Sequence, residues 1–132
     1  MVSFPKLSPE LLAERLQPPT GPLRMVLDTD TYNEIDDQFA LVYALISPGL
    51  TVEAVYAAPY SNNRSVGPED GMLKSYDEIL RILGMLGHTA EGFAFHGSTG
   101  YLPSKRQPVT SAAAHDLVAK AMAAGTEPLY VL

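Results

Sequence analysis

The chain predicts an α/β fold, a parallel sheet of about four strands with flanking helices, on two observations. Strand-like and helix-like segments alternate from one end of the 132 residues to the other, a pattern that calls for crossovers rather than hairpins. Turn-rich loops follow the strand segments, and ligands of such sheets sit beyond the carboxyl ends of the strands.

Each element has its own signals. Ser8-Pro9-Glu10 supplies an N-cap, a proline at the first helical position and an acidic first turn. A short helix through about Leu16 then meets Gln17-Pro18-Pro19-Thr20-Gly21-Pro22, which stops it. Leu23–Leu27 is a short apolar run and reads as a buried strand. From Asp36 the period becomes helical, with Phe39, Val42, Tyr43 and Ile46 on the apolar face, and Ser47-Pro48-Gly49 ends it. Leu50–Ala58, rich in β-formers, is the second strand.

A loop from Pro59 to Gly71 leads into an amphipathic helix carrying Met72, Tyr76, Ile79, Leu80 and Leu83, with Gly87 just beyond its end. Gly92–His96 is the third strand, and Ser111 caps a helix through about Ala124 with Leu117, Val118, Ala121 and Met122 facing inward. Pro128–Leu132 is the fourth strand. Residues 1–132 form one α/β domain: an N-terminal helix and Pro-rich lead-in over 1–22, then a βαβαβαβ core over 23–132. The last strand ends the chain at the rim, where a βα unit normally continues, so the domain is expected to be incomplete. That apolar strand at a sheet edge predicts self-association, a homo-oligomer.

Composition narrows the partners. Nine basic against fifteen acidic residues leave a formal charge of −6, which argues against nucleic acid. The chain has no Cys, so disulfides and thiolate metal sites are excluded. No apolar stretch resembles a signal peptide or approaches a membrane span, so a cytoplasmic location with no membrane partner is expected.

Asp28-Thr29-Asp30-Thr31-Tyr32-Asn33-Glu34-Ile35-Asp36-Asp37 places five carboxylates in ten residues where the first strand gives way to a helix. Two carboxylates about 5 Å apart repel by about 3 kcal/mol at an effective dielectric near 20. A cluster persists when a cation neutralises it, when some groups take up protons, or when the side chains splay into water. A solvated turn with Asp36 or Asp37 as a helix cap accounts for one or two of the five, but not for Asp28 and Asp30 at the strand end. An EF-hand is excluded, because Asn33 stands in place of the turn Gly and Phe39 in place of the bidentate Glu. The pattern therefore reads as a divalent-metal site.

Other candidates are weaker. Asn62 and Asn63 are turn formers, Arg64 reads as a surface cation, and His88, His96 and His115 show no metal spacing. Tyr32 either lines a pocket or packs, and Glu34 is a further oxygen donor near the cluster.

The run Val26-Leu27-Asp28-Thr29-Asp30, followed by Ile35-Asp36-Asp37-Gln38-Phe39-Ala40-Leu41, resembles the N-terminal signature of the nucleoside hydrolase family, inosine–uridine preferring type. Thr31-Tyr32-Asn33-Glu34-Ile35 stands where that signature has Pro-Gly and one more residue, two residues longer here. Val55–Asn62 is similar to the family's second strand and its ribose-binding Asn, and Gly125–Leu132 to the strand leading into a later metal loop.

The resemblance implies the N-terminal part of the nucleoside hydrolase fold and Ca²⁺-dependent hydrolysis of the N-glycosidic bond of a ribonucleoside. Asp30 and Asp37 would ligate Ca²⁺, with Asp30 also the base that takes a proton from water on that cation. Asp28 would orient the metal ligands, and Asp36 and Asn62 would bind the ribose hydroxyls. Hard oxygens suit Ca²⁺, and anionic groups suit an oxocarbenium-like transition state. The family draws further ligands and a leaving-group acid from a C-terminal half that this chain lacks. Two rivals stand beside it: a non-catalytic fragment that binds metal or ribose or assembles with another chain, and a phosphatase-like hydrolase with Asp28 as nucleophile.

Overall fold

The computed structural model describes residues 6–123, 125 and 127–132. Four parallel strands, β1 (Leu23–Thr29), β2 (Leu50–Ala57), β3 (Ala94–His96) and β4 (Leu129–Val131), form one sheet in the order β3-β2-β1-β4. Among the described residues four helices accompany it: α1 (Pro9–Arg15), α2 (Ile35–Ile46), α3 (Pro68–Leu86) and α4 (Ala112–Ala123). The expected fold class is thus present. Among the described residues no helix is long and apolar enough to cross a membrane.

Strand alternation decides the layers. Met25, Leu27, Val55 and Ala57 point to one face and are buried with Leu41 and Ala44 of α2 and Met72, Ile79, Ile82 and Leu83 of α3. Val26, Ala54 and Tyr56 point to the other face and meet Ala113 and Leu117 of α4. From β1 to β3 the chain steps across the sheet in one direction; to reach β4 it reverses and crosses to the far side of β1. A constant crossover hand requires the helix of that reversed step to lie on the opposite face, and α4 does. The reversal creates a switch point between β1 and β4, where open α/β sheets place their ligands.

Boundaries differ from expectation in instructive ways. β1 runs two residues past Leu27, because both neighbours keep pairing with it: the Asp28 N–H donates to the Leu132 carbonyl at 2.7 Å, and the Ala58 N–H to the Thr29 carbonyl at 2.9 Å. A central strand's ladder is indifferent to side-chain polarity. α3 begins at Pro68, earlier than the expected loop end at Gly71, with proline in its first turn and Gly87 at its C-cap in the left-handed conformation (φ 72°). The expected end of the last helix at Ala124 lies outside the described residues.

Two apolar faces are assigned differently by the structure. In α2 the buried residues are Leu41 and Ala44, whereas Phe39 and Tyr43 are each 69% exposed. In α4 the buried residue is Ala113, Leu117 is half-buried, and Val118 and Met122 lie outside. Both helices are apolar on more than one side, so periodicity finds the larger residues while the small alanines take the close sheet contact. In α3, where the outer face is charged, Met72, Ile79 and Leu83 are buried as expected.

Two glycines mark places where backbones nearly touch. A Cβ on Gly71 would lie 2.1 Å from the Tyr60 carbonyl oxygen, and one on Gly97 2.2 Å from that of Ala57. Only glycine allows α3 to seat against the loop after β2, and the chain after β3 to run against β2.

Candidate functional site

The loops after β1, β2 and β3 open on one rim, as a parallel sheet requires. Within the β1–α2 loop the backbone turns at once: the Asn33 N–H donates to the Asp30 carbonyl at 2.6 Å. That turn, with two acidic residues in the first turn of α2, brings the Asp30 carboxyl into hydrogen-bonding contact with Asp37. The helix N-terminus also stabilises negative charge there. Burial, followed by the contact with Asp37, raises the Asp30 pKa above its ordinary value.

Neighbouring side chains fix this pair. The buried Thr29 hydroxyl donates to Asp37 Oδ1 at 2.6 Å and lies 3.0 Å from the hydroxyl of fully buried Thr31. Asn33 Nδ2 donates to Asp30 Oδ2 at 2.9 Å. Asn62 Nδ2 donates in turn to Asn33 Oδ1, and Asn62 Oδ1 accepts from the Arg64 N–H at 2.8 Å. The Arg64 guanidinium donates to the Asn33 carbonyl at 2.7 Å. Arg64, expected as a surface cation, therefore latches the loops after β1 and β2 together.

Of the sequence-derived site residues, Asp30 and Asp37 meet, and Asn62 joins them through Asn33. Asp36 is exposed beside them, its Oδ1 accepting from the Asp37 N–H at 3.2 Å. Asp28 is placed elsewhere. By strand alternation it shares the α4 side with Val26 and lines a cavity of about 210 Å³ with Tyr56, Gly97, Ser98, Ser111 and Leu117. It keeps contact with solvent, yet the surrounding protein displaces enough water to raise its pKa. Among the described residues no hydrogen bond reaches its carboxylate.

Beneath that cavity the Tyr56 hydroxyl donates to Asp116 Oδ2 at 2.8 Å, and Lys120 Nζ donates to both Asp116 oxygens at 2.7 Å. Tyr60, 4% exposed, keeps a hydroxyl with no hydrogen-bond partner among the described residues. His96 stacks on Tyr76 at 3.7 Å, and Tyr32 and Glu34 are exposed at the rim.

The roles of Thr29, Thr31 and Asn33 were not foreseen. The signal for Thr29 was available, since it alternates with Asp28 and so faces α2. That for Asn33 was not, because its two contacts depend on how the loop turns.

Among the described residues no three or more His, Asp or Glu side chains are grouped to hold a metal ion. The Asp30–Asp37 pair, with the Thr29 and Thr31 hydroxyls, nevertheless offers only hard oxygens, a donor set that fits Ca²⁺ if water or ligand hydroxyls complete the shell. No family model matches the chain, and neither a curated protein nor a solved structure does.

Proposed function

We propose that the β1–α2 carboxylate site binds Ca²⁺ together with the vicinal hydroxyls of a ribose, and that the parent activity is cytoplasmic hydrolysis of a ribonucleoside's N-glycosidic bond. The observation that carries this reading is the contact between Asp30 and Asp37 at the end of a central strand, in a loop fixed from two sides. Asp30 and Asp37 would hold the cation. When bound, Ca²⁺ supplies the positive charge that makes a nearby water more acidic and orients the sugar hydroxyls.

The chain's own residues do the rest. Thr29 holds Asp37 in place, and Asn33 aims Asp30, which accepts the proton as water attacks. Asp36 in the exposed first turn of α2 and Asn62 on the adjoining loop would bind ribose hydroxyls, which would keep the scissile carbon beside the water. Asp28 lies on the other side of β1, lining the cavity under α4.

The convergence of two carboxylates rather than three or more favours a second reading, in which the site binds cation and ribose without turnover. Calorimetry with CaCl₂, with ribose, and with both, beside an inosine and uridine hydrolysis assay, separates the two. Both require Ca²⁺ binding that weakens at least roughly tenfold in Asp30→Asn and in Asp37→Asn. Turnover selects the catalytic reading, and binding without turnover the other. No heat of Ca²⁺ binding at millimolar concentration would overturn both.

A further inference from the structure

The outward face of α2 has no counterpart in the chemistry above. Ile35 (68% exposed), Phe39 (69%), Tyr43 (69%) and Ile46 (65%) form a continuous apolar stripe, and Met85 (73%) of α3 extends it. Between α2 and α3 this surface dips into a groove of about 320 Å³ lined by Ile35, Phe39, Val42, Ile82, Met85 and Leu86. Ile35, Phe39, Val42 and Ile46 are spaced by four, three and four, the heptad seam of helices that pair side by side. From Gln38 to Ile46 α2 carries no charged residue, and the cation beside the groove, Arg81, is held by Glu78 at 2.6 Å.

We infer that this α2–α3 face is where a second copy of the chain docks, the two α2 helices packing antiparallel across a two-fold axis. Area argues for it. With large side chains burying about 150–250 Å² each, the stripe offers on the order of 700 Å². That exceeds the roughly 300–600 Å² of the largest patch on an ordinary monomer. It approaches the roughly 800 Å² that each partner gives to a standard interface.

Charge argues for a second copy as well. Two chains of formal charge −6 repel wherever their acidic surfaces meet, whereas an antiparallel pairing of α2 joins uncharged helix centres and sends each Asp36-Asp37 pair to an opposite end. A two-fold arrangement lets one self-complementary stripe serve both partners. The outward side of α4, with Val118 and Met122, is interrupted by exposed His115. The β4 edge, expected from the sequence to drive association, is three residues long.

Sedimentation velocity of the full chain at micromolar concentration tests this. The expected result is a mass twice that of the 14.2 kDa chain. Phe39→Ser and Ile46→Ser should each weaken association at least roughly tenfold with an unchanged far-ultraviolet spectrum, while Val131→Lys at the β4 edge and Met122→Ser on α4 stay dimeric. A monomer at every concentration overturns the inference, as does a dimer that survives both α2 substitutions or dissociates with Val131→Lys.

Discussion

Replacing Gly71 and Gly84 by alanine, both within α3, should move stability in opposite directions. At Gly71 the new Cβ would stand 2.1 Å from the Tyr60 carbonyl oxygen and 2.9 Å from its carbon. Carbon and carbonyl oxygen approach to about 3.3–3.6 Å, so helix or loop must retreat by about 1 Å. Overpacking of this kind costs about 1–3 kcal/mol, and the upper end applies because the obstacle is backbone rather than a flexible side chain. Alanine's better helix propensity returns about 1 kcal/mol, leaving a net loss of about 2 kcal/mol.

At Gly84, apart from the adjacent residues and the helix's own backbone, no atom of the described residues lies within 4 Å of the added carbon, so only the propensity gain of about 1 kcal/mol remains. Urea denaturation followed by circular dichroism, with m-values checked for constancy, measures both. Equal shifts in the two variants, or a Gly71→Ala protein no less stable than the parent, would refute the argument that α3 is seated against the β2 loop by that contact. The retreat also displaces the loop bearing Asn62, so Gly71→Ala should weaken Ca²⁺ binding as well, whereas Gly84→Ala leaves it unchanged.

Other outcomes follow from the same geometry. Thr29→Val, nearly isosteric, removes the 2.6 Å bond to Asp37 and should cost roughly 1.5–3 kcal/mol in urea denaturation, the range for a bond to a charged group. Burial and then the Asp116 hydrogen bond raise the Tyr56 phenol pKa well above its ordinary value, so the folded state holds that proton more tightly than the unfolded one. The associated stability is fully present below the unfolded tyrosine pKa near 10 and is lost as pH rises through the folded value. Tyr56→Phe should therefore flatten the alkaline limb of a urea-midpoint profile. For Asp28, burial also raises the folded pKa, so its contribution is present below the unfolded carboxylate value and lost as pH rises through the folded one. Asp28→Asn should then be more stable than the parent at neutral pH and, from its place on the α4 side, hold Ca²⁺ as tightly; a tenfold weaker affinity would show that Asp28 acts on the metal ligands.

Architecture was readable wherever several local signals agreed. Proline at the start of α3, its charged outer face and Gly87 at its end all pointed to one helix, and the helix is there. Burial was harder to read in α2 and α4, because a helix rich in alanine and large apolar residues on several sides has no single stripe to assign. At the rim, the meeting of Asp30 and Asp37 was legible from their positions at a strand end and a helix start. The Asn33–Asn62–Arg64 latch was not, since hydrogen bonds across 29 and 31 residues depend on how two irregular loops are folded against each other.

Asp28 and Thr29, adjacent in the chain, face opposite sides of the sheet. One borders the hollow under α4, and the other braces the acidic pair under α2. Drift in the residues on either side can proceed with little penalty to the other, so a single strand lets two microenvironments diversify independently while their shared backbone stays put.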